Sequence, residues 1–218
     1  MIRFFVTCAL YVSLTGLFIW PGSALTGQGE RLNAEIPAEW VQLLDRQAGD
    51  LYVAEYYPPE DVAILAATEN GRPQWQRKLS IEVLASKPLP DPLIVAGGLV
   101  ETQAETCDEF SEQGIFAGFE NGYPTTVHML HCPRSKGTEQ GFLTMIKVIK
   151  GNEGLYTITR IWRTAASDIP PPPPPGVKEK DDGPLIEVQI DMAEVGAWAN
   201  TLRSFSLCDD ASDDHKCD

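Results

Sequence analysis

The sequence lacks the short motifs that mark the common catalytic and cofactor sites. It has no G-x-S-x-G nucleophile elbow, no G-x-G-x-x-G dinucleotide loop and no C-x-x-C redox pair. Gly97-Gly98 follows an apolar stretch but lacks the dinucleotide-loop spacing. These absences favour a non-enzymatic protein without a cofactor. A hydrolase with a scattered active site stays as an alternative, because many active sites leave no local motif.

Basic residues are few. The chain has 17 Lys and Arg against 31 Asp and Glu, a formal net charge of -14. Such a chain repels nucleic acid phosphates and anionic lipid surfaces. We therefore expect no nucleic-acid partner.

Long apolar runs are absent after residue 20. Before it, Phe4 to Trp20 is uncharged and apolar, and Pro21-Gly22-Ser23-Ala24 supplies a helix breaker and small residues. This pattern predicts a signal peptide over residues 1–24, cleaved after Ala24, and a periplasmic or secreted protein that does not span the membrane. The alternative is an uncleaved membrane anchor, because the run is about the minimum length of a spanning helix, ~17 residues.

Four cysteines follow Ala24, namely Cys107, Cys132, Cys208 and Cys217. An even number in an exported chain predicts two disulfides, for which three connectivities are possible.

Hydrophobic patterning predicts an α+β fold. Lys78 to Leu84 alternates strictly, with Leu79, Ile81 and Val83 on one face. The further strands that we predict are 40–47, 51–57, 125–132, 142–150 and 155–163, although a short helix beginning at Pro37 competes with the first. Short strands joined by tight turns indicate an antiparallel sheet of five to seven strands.

Two amphipathic helices are predicted to cover this sheet. The first begins at Asp91-Pro92, an N-cap followed by Pro at the first helical position, and its apolar stripe runs from Leu93 to Cys107. The second begins near Asp191, with Val195, Trp198, Leu202 and Phe205 in one stripe.

The domain boundaries follow from these elements. We predict a flexible segment over 25–35, a single α+β domain over 36–208 with a proline-rich insertion at 165–184, and an acidic tail over 209–218. Within the insertion, Pro170 to Pro175 is an unbroken run of prolines, which favours polyproline II.

The predicted elements favour the pairs Cys107–Cys132 and Cys208–Cys217. Cys107 falls on the stripe of the first helix, and Cys132 shares a strand face with Leu130. A bridge there would staple helix to sheet, and closing a loop of about 25 residues stabilises by ~3 kcal/mol on the chain-entropy model. The remaining pair would hold the tail against the second helix.

Several short motifs between Trp40 and Cys208 share a layout with one group of proteins. The motifs are Glu55-Tyr56-Tyr57-Pro58, Trp75-Gln76-Arg77-Lys78-Leu79, Lys147-Val148-Ile149-Lys150-Gly151 leading into Leu155-Tyr156 and Trp162-Arg163, and the closing Trp198, Leu202, Leu207 and Cys208. Together they resemble uncharacterised bacterial periplasmic proteins, similar in layout to the PsbP-like, Mog-type α/β/α sandwich. The resemblance implies a fold and a compartment but no activity, because one fold serves unrelated functions.

Candidate metal ligands are poorly placed. His128, His131 and Cys132 lie close in sequence, but on a strand His131 points away from the other two. The acidic tail, with Asp209, lacks the ligand positions and glycine of a calcium loop. We predict no metal site.

Aromatic and arginine side chains favour a binding role. Trp, Tyr and Arg are enriched at binding hot spots, and we take Tyr57, Trp75, Arg77 and Trp162 as possible partner-binding residues. The alternative is that they cover one face of the sheet. The function that we predict is an exported protein-binding or assembly module whose partner is another envelope protein. A carrier of a small apolar ligand is the second possibility.

The N-terminal pattern yields a direct test. We expect protein purified from its secreting host to begin at Leu25, because the apolar run and the small residues end at Ala24. N-terminal sequencing and intact mass measure this. Retention of the residues before Pro21 would indicate an anchored protein instead.

Overall fold

The computed structural model describes residues 29–67, 75–166 and 192–209. In these residues the chain forms nine strands and three helices. They are β1 (Glu30–Asn33), β2 (Val41–Ala48), β3 (Leu51–Tyr57), α1 (Pro59–Ala67), β4 (Arg77–Leu84), α2 (Pro92–Ala104), β5 (Cys107–Glu120), β6 (Tyr123–Ser135), β7 (Gln140–Lys150), β8 (Leu155–Ala165), α3 (Met192–Ser204) and β9 (Ser206–Asp209).

Seven strands form one antiparallel sheet in the order β2-β3-β4-β8-β7-β6-β5. Strands β1 and β9 form a separate antiparallel pair. The α+β fold class and the antiparallel sheet that the sequence predicts are confirmed. In the seven-stranded sheet, β2 and β5 are the two edges.

Two apolar clusters lie on opposite faces of the sheet. On one face, α2 packs Ala96 and Val100 against Leu130 and Ile146. On the other, residues of α3 pack against apolar side chains of the central strands; the main contributors are Val195, Trp198, Leu202, Leu79, Ile158 and Met145. The molecule therefore has three layers, helix, sheet and helix.

Helix α2 begins as its sequence predicts. The side chain of Asp91 accepts a hydrogen bond of 2.8 Å from the backbone N–H of Leu93, and Pro92 occupies the first turn. The helix ends at Ala104, however, and Cys107 is the first residue of β5. The prediction that Cys107 lies on the helical stripe is wrong, because the chain becomes extended there to pair with β6.

The predicted flexible segment, 25–35, contains an ordered strand at Glu30–Asn33. The buried carboxylate of Glu30 accepts hydrogen bonds from the backbone N–H groups of Asn152 and Glu153 and from the hydroxyl of Tyr156. Pairing with β9 and these bonds anchor the segment, which local sequence cannot reveal. Asp209, predicted as the start of the tail, ends β9, and the rest of the tail lies outside the described residues.

Removing the Glu30 carboxylate should destabilise the fold. Glu30→Ala removes the acceptor of three hydrogen bonds, one of them donated by the buried hydroxyl of Tyr156, which costs roughly 2–4 kcal/mol. Urea unfolding measures the change, and Glu35→Ala, at an exposed carboxylate of the same segment, is the control. Equal midpoints for the two variants would contradict the anchoring role.

Candidate functional site

The predicted partner-binding aromatics are buried. Tyr57, Trp75 and Trp162 are 7%, 8% and 3% exposed. Arg77 is partly exposed and pairs with Glu60. Three of the four side chains therefore belong to the interior of this conformation, and they form no exposed contact surface.

Trp75 is the centre of one cluster of cations and rings. The guanidinium of Arg163 lies 3.8 Å from its ring centroid, and the ammonium of Lys78 lies 5.4 Å from it. Tyr57 meets the ring edge-on at a centroid distance of 6.0 Å and donates its hydroxyl to Glu55. These contacts surround Trp75 with cations and a second ring, so its π system serves packing in this conformation.

Arg160 is the centre of the second cluster. Its buried guanidinium lies 4.0 Å from the ring centroid of Trp40, 4.4 Å from Trp198 and 4.9 Å from Trp162. One nitrogen pairs with Glu194 of α3 at 3.1 Å. Burial lowers the pKa of Arg160 to about 9, which leaves it charged at neutral pH. The cluster joins α3, the sheet and the segment before β2.

The Cys107–Cys132 disulfide is present, with a Cα–Cα distance of 5.8 Å. It joins the start of β5 to β6, whereas we expected it to join a helix to the sheet. Cys208 is disulfide-bonded. Because Cys217 lies outside the described residues, its pairing with Cys208 stays a prediction.

The two histidines of β6 have different surroundings. His128 Nδ1 lies 2.9 Å from a carboxylate oxygen of Glu112. His131 is half-buried, and burial lowers the pKa of its imidazole. Among residues 29–67, 75–166 and 192–209, no three His, Cys, Asp or Glu side chains are grouped to hold a metal ion.

The lowered pKa of His131 predicts a pH dependence of stability. Because its pKa in the folded state lies below the ordinary 6.5, the unfolded chain binds the proton more readily below that pH. The free energy of unfolding should then fall as pH drops through about 6.5. His131→Gln should flatten this decline below about pH 6.5, measured by urea unfolding. An unchanged slope would show that other groups cause it.

An open groove of about 340 Å³ lies between α2 and the edge strand β5. Val100 and Ala104, the two buried residues of its lining, form an apolar floor, and Gly97 also lines the groove. Phe110 of β5 lines the opposite wall and is 52% exposed. The groove exists because α2 ends just before β5 begins, so the two elements diverge from a common corner.

Three carboxylates surround the apolar floor. Glu101 lies on α2, Glu105 is the C-cap residue one turn later, and Glu112 lies on β5. Among nearby cations, the ammonium of Lys136 donates to the backbone carbonyl of Glu105 at 2.9 Å, and His128 lies against the carboxylate of Glu112. The groove is therefore apolar below and net acidic at its rim.

Strand β5 continues the apolar surface beyond the groove. Ile115, Phe116 and Phe119 are all exposed, Phe119 at 72%. Large exposed apolar side chains that lie together on one element mark interaction sites more often than single ones do. Sequence reasoning missed β5, although the Asn121-Gly122 pair between two apolar stretches is a hairpin signal.

Comparison with known proteins finds fold neighbours alone. No protein-family model matches, and no curated protein matches. Among solved structures, the Ran-binding protein Mog1p of Saccharomyces cerevisiae has a TM-score of 0.39 and 11% identity, over 65% of this chain and 76% of that one. The cyanobacterial PsbP protein, CyanoP, of Synechocystis has a TM-score of 0.38 and 10% identity, over 66% and 86%. These are the two fold types that the sequence motifs resemble, but likeness at this level does not bear on what the chain binds.

None of the helices in the described residues combines the length and apolar character needed to cross a bilayer.

Proposed function

We propose that this chain is an exported, non-enzymatic protein-binding module of the cell envelope. Its binding site is the groove between α2 and β5, and its partner is another envelope protein that presents a segment of basic and apolar side chains. The observation that carries the proposal is the acidic rim of Glu101, Glu105 and Glu112 around an apolar floor.

The chemistry of the groove favours this partner over a small apolar ligand. Apolar side chains of a partner would bury the exposed ring of Phe110 and cover Val100. Basic side chains beside them would meet carboxylates in a partly desolvated site, where charge complementarity gives specificity and fast association. A purely apolar ligand would desolvate the three carboxylates without compensation.

The disulfide supports export. Cys107 and Cys132 are buried and bridged, and structural disulfides persist in oxidising compartments such as the periplasm or the extracellular space. This agrees with the signal peptide that residues 1–24 predict.

Two glycines of α2 allow a matched test. A Cβ added at Gly97 or at Gly98 meets nothing within 4 Å, and both glycines are helical. Leucine at either position should therefore stabilise α2 by up to about 1 kcal/mol through helix propensity. Because only Gly97 lines the groove, Gly97→Leu should fill it, whereas Gly98→Leu should leave it open.

The probe is a synthetic peptide of alternating lysine and valine, titrated by calorimetry, with a glutamate–valine peptide as the charge control. We expect Gly97→Leu to weaken binding of the lysine–valine peptide roughly tenfold or more and Gly98→Leu to preserve it. In a pull-down from envelope extract, Gly97→Leu should no longer capture the natural partner, whereas Gly98→Leu should still capture it. Equal binding by both variants, or equal binding of both peptides, would contradict the proposal.

A second pair of variants separates local from overall charge. Glu101→Gln with Glu105→Gln removes two rim charges, and Glu35→Gln with Glu39→Gln removes two exposed charges elsewhere. The substitutions at the rim should weaken binding of the lysine–valine peptide. They should also reduce the salt dependence of its affinity, because salt then screens fewer close charges. The substitutions at Glu35 and Glu39 should change the affinity and its salt dependence much less.

A further inference from the structure

The outer edge of β5 has a regular, uncharged stretch next to the groove. β5 is 14 residues long and is the last strand of the seven-stranded sheet. Its three register irregularities all precede Phe116, and from Phe116 to Glu120 it pairs with β6 without interruption. From Gln113 to Phe119 it carries no charged residue.

Natural sheet edges are usually blunted by bulges, charged side chains or proline, because an unblunted edge pairs with other chains. The part of β5 before Phe116 has such protection, with its bulges and the acidic residues Asp108, Glu109 and Glu112. The stretch from Phe116 to Phe119 has neither a bulge nor a charge, and it exposes both phenylalanine rings. This contrast within one strand marks that stretch as an edge available for pairing.

The hairpin geometry shows which backbone groups face outwards. Asn121 and Gly122, with φ of 47° and 78°, form a two-residue turn closed by the pair Glu120 and Tyr123. The closing pair of such a turn is hydrogen-bonded, and hydrogen-bonded and non-hydrogen-bonded pairs alternate along an antiparallel ladder. Ala117 and Phe119 therefore belong to non-hydrogen-bonded pairs, and their N–H and C=O groups point away from β6.

Pro124, the partner of Phe119, agrees with this assignment. Proline has no N–H and cannot serve in a hydrogen-bonded pair. Phe116 and Phe119, three residues apart in an extended strand, lie on opposite faces of the sheet. A strand added outside β5 would therefore meet backbone partners at Ala117 and Phe119 and an aromatic ring on each face.

We propose that the partner binds by strand addition: its segment extends the sheet along the outer edge of β5, with one end in the groove beside α2. In this binding mode main-chain hydrogen bonds supply affinity, and pockets for alternate side chains supply specificity. The proposal rests on the proposed function and gives its binding mode. The occupant is an extended basic and apolar segment of another protein, because a second copy of this chain would bring a further net charge of -14 and a second set of β5 carboxylates.

Ala117 allows the edge to be blocked without breaking the ladder. Ala117→Pro removes an outward N–H alone, and proline is tolerated on edge strands at such positions. Ala117→Val keeps the N–H and is the matched control, since a β-branched residue suits an exposed strand. Urea unfolding of both variants checks that the fold is kept.

The probes are the lysine–valine peptide and the same peptide with alternate backbone nitrogens methylated, which cannot donate to a neighbouring strand. We expect Ala117→Pro to bind the unmodified peptide roughly tenfold more weakly than Ala117→Val. We expect the methylated peptide to bind the unchanged protein about as weakly as the unmodified peptide binds Ala117→Pro.

Three outcomes would overturn the proposal. If Gly97→Leu abolishes binding while Ala117→Pro and methylation have no effect, the groove binds the partner without strand addition, and the proposed function stands alone. If sedimentation shows that the unchanged protein dimerises and that Ala117→Pro makes it monomeric, the edge is occupied by a second copy. Failure of both Gly97→Leu and Ala117→Pro to weaken binding would reject the site itself.

Discussion

The two-sided burial of the central strands is the constraint on which the architecture depends. Seven consecutive residues of β7 and six of β8 are buried, so neither face of these strands meets solvent. Each face must therefore be covered by its own layer, and α2 and α3 supply the two layers.

Arg160 shows how strictly that constraint acts. It is fully buried in β8, where an isolated charge would be strongly destabilising. Glu194 compensates one nitrogen, and the faces of Trp40, Trp162 and Trp198 compensate part of the rest, while Nε and Nη1 have no hydrogen-bond partner. The charge therefore ties the position of α3 to the sheet, because any displacement would leave the guanidinium uncompensated. The same packing withdraws these tryptophans from any binding surface.

The sequence predicts the elements whose pattern is local. β4 alternates, α2 has its cap and proline, and β6 to β8 are rich in β-branched and other apolar residues and are separated by turns, so all five were found within a few residues. Helix α1 was missed because two successive prolines, which cannot donate to a strand ladder, indicate only that β3 ends at Pro58-Pro59. Pro59 is in fact the first residue of the helix. Strands β1 and β9 were missed because they pair from opposite ends of the chain, Glu30 with Asp209, which leaves no local signal.

The candidate site was missed for a related physical reason. β5 is exposed on both faces, so it has neither the alternation of a half-buried strand nor the apolar run of a buried one. Residue type alone also misassigned the aromatics: Trp75 and Trp162 suggested a contact surface, but large rings beside arginine serve a core equally well, and only burial separates the two roles.

The two edges of the sheet differ in a way that points to the site. β2 contains a register irregularity between Gln42 and Leu44 and carries Asp45 and Arg46, the usual protections of an edge. β5 carries such protections before Phe116 but has neither a bulge nor a charge from Phe116 to Phe119, and it borders a groove that α2 completes. Exposed apolar side chains on a regular edge add little to the stability of the folded chain and make aggregation easier. Their retention beside an acidic groove is understandable if a partner covers them, and this joins the groove and the edge into one binding surface.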